Sequence, residues 1–478
     1  TEPSLDYEML ERAVAQLLAH HDALRLRYVR SEDGWQQFNA APDELSGPYV
    51  ERVDFSELPE DEQSAAIERA AAEMQADFNL SRPPLLRVVL FELGAQSRLF
   101  IVAHHLVIDG VSWRIIVPDL VQAWAQISIA QAEVYFAEDQ TPAGLARARQ
   151  AAETAVRLQP ELSEARDALG LFYYLCLHDY DRALIELNEA RSLAPNDGAA
   201  IFYIALVQRR QGKLDPAIEH LQEAAALDPR NPDIWSNLAR SYRGKREFAA
   251  ARAAFDRAVI ISPDETDFIG EKAETYVAEG DLEAAEKTLR DRDVSAATDA
   301  LGEKVNLLIY RRRFEEAAQA FSRAAAAQTE RSTLQRADDK SWLGSLLLFA
   351  GHEAEARRLL QEAHADLEAL QATGNTSPRL AVSLVLTSAD LGNRAQVEKE
   401  AAALLERTKD DLWMAPEAAA SVAIAFARLG DANRAIPLLE RALAASYRRA
   451  VTPALLRLDP SWDPIRHDPR FAKLAQIK

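Results

Sequence analysis

The strongest constraint on this chain is a period near 34 residues through its middle. Pro160, Pro195, Pro229 and Pro263 follow one another at spacings of 35, 34 and 34. Ala183, Ala217, Ala251 and Ala285 recur every 34 residues, and Leu187, Leu221, Phe255 and Leu289 stand four positions after them. Four positions is about one helical turn, so each small residue and its large partner share a helix face. A proline at a fixed place in every unit closes a helix. Gly170 with Tyr173, and Trp235 with Leu238 and Tyr242, fill the matching places on a preceding helix. A helix hairpin of this length cannot bury its apolar face alone, so it must stack on its neighbours. From about Ile127 onward alanine, leucine and charged residues dominate and strand signals vanish.

This pattern resembles the tetratricopeptide repeat (TPR). Weaker members continue it: Ala317 with Phe321, then Trp342, Gly344, Ala356 and Leu360, then Gly430, Ala435 and Leu439, with Val397 at the small position between. Nine hairpins are expected within residues 127–449, the first and eighth being the weakest matches. HEAT-type arrays have longer periods and lack this Gly–Ala–Pro spacing. The end of the chain, from Leu458 through Trp462 to Phe471, is similar to the closing segment of bacterial TPR proteins that carry kinase or regulator domains, and residues 450–478 are read as a cap. No phosphate-cradling loop and no kinase signature accompanies it. The resemblance implies an all-α superhelix whose concave groove takes a protein or peptide ligand. Some chaperone-binding members clamp a peptide carboxylate with Lys and Asn. Asn237 is present here, but no assembled basic set is.

Residues 1–126 read as an α+β layer. Leu5, Met9, Leu10, Val14, Leu17 and Leu18 lie at helical spacing. Residues 24–40 read as a hairpin around Glu32-Asp33-Gly34, and 49–53 as a further strand. A helix is expected over 59–76 with Ser56 as N-cap. Two apolar strands, 85–93 and 99–103, are joined by Gly94-Ala95-Gln96-Ser97, and helical spacing returns from Val111 to Trp124.

The second of those strands runs into His104-His105-Leu106-Val107-Ile108-Asp109-Gly110-Val111-Ser112-Trp113, the one stretch dense in groups that do chemistry. Alternation along a strand would leave only one histidine facing a cleft. The run resembles the HHxxxDG motif of the condensation domains of nonribosomal peptide synthetases. Its continuation through Arg114, Ile115, Ile116, Asp119 and Leu120 looks like the epimerisation branch. His20-His21-Asp22-Ala23-Leu24-Arg25 and Phe78 to Arg87 match further motifs of that branch in order.

The resemblance implies a chloramphenicol-acetyltransferase-like fold of two halves, with the active site between them and carrier proteins delivering thioesters. On it, His105 is the candidate base, next to His104. Asp109 is structural and pairs with Arg25, and Gly110 permits a tight turn. His20 stands where the family has a second arginine. The family's first motif would precede residue 1, and its second half, with the proton-returning acid, is replaced by the repeats. Loss of one cleft wall argues against catalysis by this chain alone. Whether the chain is an enzyme stays open. The join near residue 125 reads either as a gene fusion or as two genes brought together by recombination or assembly.

The 478 residues carry a net charge of -20, which opposes a nucleic-acid partner and an anionic membrane surface. No apolar run is long enough to span a bilayer, and no leader pattern opens the chain, so a cytoplasmic location is expected. The single cysteine, Cys176, lies in an apolar run and reads as a core thiol. His104, His105 and Asp109 lack a third ligand cluster, so no metal is expected, and no cofactor is bound directly. His20 and His21 read equally well as flanking a helix end, Asp22 with Arg25 as a local pair, and the acidic residues as solvated helix faces. The chain is therefore read as a mostly α protein: a TPR interaction scaffold behind a condensation-type half-domain. The alternative is an epimerisation or condensation component with His105 as base, acting on substrates held on a peptidyl carrier protein's phosphopantetheine.

Overall fold

The structure, a computed structural model, describes residues 5–94, 96–138, 140–290, 299–328 and 331–476. Ala95, in the expected strand connection, lies outside them. The chain divides into two compact units, Thr1–Tyr135 with Ala143–Ala194, and Phe136–Pro142 with Pro195–Lys478.

The first unit opens on α1 (Tyr7–His20), whose apolar face buries Met9, Leu10, Val14, Leu17 and Leu18 as their spacing predicts. Asp6 caps it by accepting the Met9 N–H at 3.0 Å, so Leu5 falls outside the helix. Strands β1 (Leu26–Ser31) and β2 (Gly34–Asn39) form the expected antiparallel hairpin. Strand β3 (Val50–Asp54) runs parallel to β4 (Leu86–Glu92), which pairs antiparallel with β5 (Ser97–Ala103). Between β3 and β4 lies α2 (Glu60–Ala76). Its N-cap position is Pro59 rather than Ser56, because Ser56 turns back and gives its N–H to Asp54 Oδ1 at 2.8 Å.

Helix α3 (Trp113–Ala137) runs unbroken through the expected division at 126/127. No glycine or proline interrupts residues 119–137, and Trp124 and Ile127 bury themselves on one continuous face. The Trp124 indole donates to Ala151 O at 3.0 Å on α4 (Pro142–Leu158).

Eight helix hairpins follow among the described residues: α5–α6 (Ser163–Leu171, Tyr180–Leu193), α7–α8 (Gly198–Arg210, Leu214–Leu227), α9–α10 (Pro232–Gly244, Phe248–Ile261), α11–α12 (Thr266–Glu279, Leu282–Leu289), α13–α14 (Asp299–Tyr310, Phe314–Ala327), α15–α16 (Thr333–Ala350, Glu353–Ala372), α17–α18 (Pro378–Asp390, Arg394–Thr408) and α19–α20 (Ala415–Arg428, Ala432–Ala444). Each periodic proline stands two residues beyond a helix end. The four periodic alanines are fully buried, as are Leu187, Leu221 and Phe255. Gly170 is needed for packing: a Cβ there would come within 2.7 Å of Leu187 Cγ, and Gly344 stands in the same relation to Leu360 at 2.6 Å. Burial pushes the Cys176 thiol up to about 12, as befits a core residue.

The second unit ends in α21 (Pro453–Leu458), a 3-10 turn over Pro460–Ile465 and α22 (Pro469–Ala475). Trp462 and Phe471 lie in its core with ring centroids 5.8 Å apart. The last hairpins also return to helices some 200 residues earlier. Leu412 N donates to Arg210 O at 3.1 Å, the Arg243 guanidinium donates to Arg448 O at 2.9 Å, and Thr452 Oγ1 donates to Ala278 O at 2.7 Å.

Candidate functional site

The histidine run begins one residue past the end of β5. Both imidazoles therefore sit in the turn, and strand alternation does not decide their directions. His104 is held: its N–H donates to Leu85 O at 2.9 Å, its Nδ1 accepts from Leu106 N at 3.2 Å, and its ring meets Phe78 edge-on at 5.7 Å. His105 is exposed. The Tyr28 hydroxyl braces the turn by donating to Leu106 O at 3.1 Å. Four apolar side chains of the same turn and the start of α3, Leu106, Val111, Ile115 and Val117, also stand open to solvent.

Asp109 knots its own loop. It accepts from the Ser112 hydroxyl at 2.6 Å and from the N–H groups of Ser112 and Val111 at 2.8 and 3.0 Å. The Ser112 hydroxyl first, then its N–H, hold the carboxyl below the usual range. This is a helix-entry turn that stops the chain before α3.

The expected pairing of Asp109 with Arg25 is not made. Arg25 is buried and donates to Leu18 O at 2.6 Å, Ala19 O at 2.7 Å and Ala40 O at 3.0 Å, and it pairs with Asp22. A fixed cation thereby satisfies the last carbonyls of α1. The glycine expectation at 110 is corrected too. Its backbone lies outside the left-handed region, and a Cβ there would meet nothing within 4 Å.

A second histidine pair draws two of the motifs together. His21, at the C-terminal cap of α1, meets Asp119 of α3 through Nε2 and Oδ2 at 2.7 Å. The His20 ring stands perpendicular to that of His21, centroids 4.9 Å apart. Ligand-type atoms of His20, His21 and Asp119 all lie within 4.8 Å of one another, the one such three-residue group among the described residues. The sequence offers each residue but not the meeting, because 98 positions separate His21 from Asp119.

In the second unit the first helices of successive hairpins line a cavity of about 520 Å³. It is polar, and its acids are not solvated helix faces. Asp338 meets Arg379 at 2.6 Å, Asp339 pairs with Arg331, and Glu274 meets Arg449 at 3.1 Å. Beside them Glu271 is fully buried and holds Arg240 at 2.6 Å, with Arg243 and Arg448 each at 3.1 Å. Burial alone would push its pKa up, but Arg243, Arg240 and Arg448 outweigh that and hold it well below the carboxylate range.

Glu303 is different. Burial, then the Glu274 carboxylate, pushes its pKa well above the usual range. Asn237 serves internally, giving its amide N–H to Asp233 O at 2.9 Å and accepting from Arg209 at 3.0 Å. Trp342 packs on Phe321 with centroids 4.5 Å apart, as a packing residue would.

Comparison with known proteins divides along the same chain. The condensation-domain family matches residues 1–133, and the tetratricopeptide-repeat family matches residues 202–266. A linear gramicidin synthase of Brevibacillus parabrevis is 47% identical over 132 residues, covering 27% of this chain and 2% of that protein. A mycosubtilin synthase of Bacillus subtilis is 39% identical over 123 residues, covering 26% of this chain and 5% of its own. The chain thus spans only a small fraction of the length of these relatives. Among solved structures, the epimerization domain from the third module of tyrocidine synthetase B is 30% identical, with a TM-score of 0.24 over 26% of this chain and 27% of that one. A thermophilic TPR protein of Thermus thermophilus is 22% identical, with a TM-score of 0.32 over 39% of this chain and 99% of its own. No described helix is long and apolar enough to cross a membrane. The chain thus carries a condensation-domain match over residues 1–133, followed by helical hairpins of which residues 202–266 match the tetratricopeptide repeats.

Proposed function

We propose that this chain works in the cytoplasm as an interaction scaffold, with the repeats of the second unit receiving a segment of a partner protein. The observation that carries this reading is the polar cavity of about 520 Å³ built from the first helices of consecutive hairpins. Charged side chains fixed in pairs around a cavity supply direction and selectivity without needing to move. The likeness of residues 1–133 to condensation domains supports a partner from nonribosomal peptide synthesis, with a carrier protein as the candidate. The test is photo-crosslinking from a benzophenone residue at position 386, on the cavity wall, in the full chain in its host cell. Recovery of a protein lost when Gly302→Leu narrows the cavity supports the reading. Recovery unaffected by that change refutes it.

A second reading has its own support. His105 is exposed, and Leu106, Val111, Ile115 and Val117 beside it leave an apolar surface open, as expected of a half whose partner half is supplied separately. In that setting the His105 imidazole would take the α-proton of a carrier-bound aminoacyl thioester, the phosphopantetheine arm belonging to the carrier. The open surroundings of His105 favour the scaffold reading for the chain alone. The check is deuterium exchange at the substrate α-carbon with a second half added. No exchange, or exchange that survives His105→Ala, overturns the role.

A further inference from the structure

Glu303 is the anomaly of the repeat cavity. It lies on α13, is 3% exposed and lines the cavity. Among the described residues its Oε1 has no hydrogen-bond partner, and its Oε2 accepts only from the Asn306 amide at 3.3 Å. Its neighbours are provided for: Asp338, Asp339 and Glu274 each face a guanidinium. A buried carboxylate oxygen with no donor costs free energy that the fold recovers when something else supplies one.

The chain also shows what suits this wall. The segment after α20 lays Arg448 against Glu271 and Arg449 against Glu274, each at 3.1 Å, on consecutive turns of α11. Two adjacent basic residues in a turn thus already dock onto carboxylates of a first helix. Glu303 offers the equivalent carboxylate on the next first helix, where Arg449 and Arg243 act on it only through space and no ion pair is made among the described residues.

We propose that Glu303 is the recognition site for a lysine or arginine side chain of a partner segment bound in the repeat cavity. This deepens the scaffold reading and rests on it. The ammonium or guanidinium would donate to the free Oε1, completing along α13 the row of carboxylate–cation pairs begun on α11. Burial explains why the site prefers a cation to a neutral amide: the carboxylate sits away from water, where a charge-assisted hydrogen bond gains most. Burial, then the Glu274 carboxylate, raises the pKa of the empty site, so a cation and a proton compete for it.

The test uses the full chain and fluorescein-labelled, end-capped nonapeptides of alanine, serine and glycine with one central arginine, lysine or glutamine. Anisotropy should show the arginine and lysine peptides binding about tenfold or more tightly than the glutamine peptide. Glu303→Gln, nearly isosteric and neutral, should remove that difference. Equal binding of all three peptides, no binding of any, or a preference that persists in Glu303→Gln overturns the assignment. A parallel selection from random displayed nonapeptides separates this from failure of the scaffold reading. It is counter-screened with Gly302→Leu, where a Cβ would have no neighbour closer than Trp342 at 3.9 Å. Enriched sequences that lack basic residues but are lost on Gly302→Leu overturn the Glu303 assignment alone. No sequence lost on Gly302→Leu overturns both.

Discussion

Glu271→Gln tests the charge cluster on which the middle of the second unit depends. The wild-type carboxylate is fully buried and meets three guanidinium groups, those of Arg240 at 2.6 Å and of Arg243 and Arg448 at 3.1 Å. Glutamine keeps the shape but removes the charge and turns N–H donors toward guanidinium donors. Arg243 keeps Glu274 at 2.5 Å and Arg448 O at 2.9 Å, so its charge is not stranded entirely. Breaking a buried pair by removing one partner costs about 3 to 5 kcal/mol, and the surviving contacts put this case near about 3. With a urea slope of about 3 kcal/mol/M, the midpoint falls by about 1 M. Tryptophan fluorescence is the assay, since Trp413, 4.9 Å from the Arg209 guanidinium, lies on the contact that the Arg448 segment helps to close. Glu315→Gln, which breaks an exposed pair with His352, is the control and leaves the midpoint where it was. The pH sign follows from the lowered pKa. The contribution is full above the unfolded value of 4.5 and is lost as pH falls, so wild type and variant converge on acidification. A Glu271→Gln midpoint no different from the Glu315→Gln control would refute the reasoning.

Glu303→Gln has the opposite sign: its folded pKa is raised, so wild-type stability is full below 4.5 and declines as pH rises toward the folded value, and the variant should gain stability over wild type progressively above pH 4.5 in urea titrations. Phe255→Ala, at a fully buried large position of the 34-residue pattern, should cost about 4 kcal/mol by the same measurement. Gly344→Ala should lower stability by about 1 kcal/mol or more despite alanine's better helix propensity, because the new Cβ would meet Leu360 Cγ at 2.6 Å; a stabilised variant would show that the hairpin can spread.

Contacts between neighbours in sequence were legible in advance, and those between distant residues were not. The alanine–leucine spacing placed Ala183, Leu187 and their successors in the core, because neighbouring helices repeat the same face every unit. The strands and the turn around His104 followed from apolar runs and a glycine. The resemblance pairs Arg25 with Asp109, yet α1 ends where Arg25 can reach its last carbonyls, and Ser112 is nearer to Asp109. Acidic residues on amphipathic helices look solvated in a one-dimensional pattern. Nothing in the spacing of Glu271 or Glu303 distinguishes them from exposed neighbours, since their burial comes from helices brought alongside by the superhelix.

The contacts from residues 411–413 and 446–452 back to α7, α9 and α11 have one more consequence. A solenoid whose repeats touch only their neighbours can lengthen or shorten by a unit at little cost. Here, in the second unit, the ends of a run of hairpins are clasped, so the number of repeats between them is set by geometry, like the links of a fastened bracelet. Inserting or deleting one hairpin between α11 and α19 would pull Arg448 from Glu271 and Thr452 from Ala278 together. Divergence in this array should therefore proceed by changing side chains within a fixed count of hairpins.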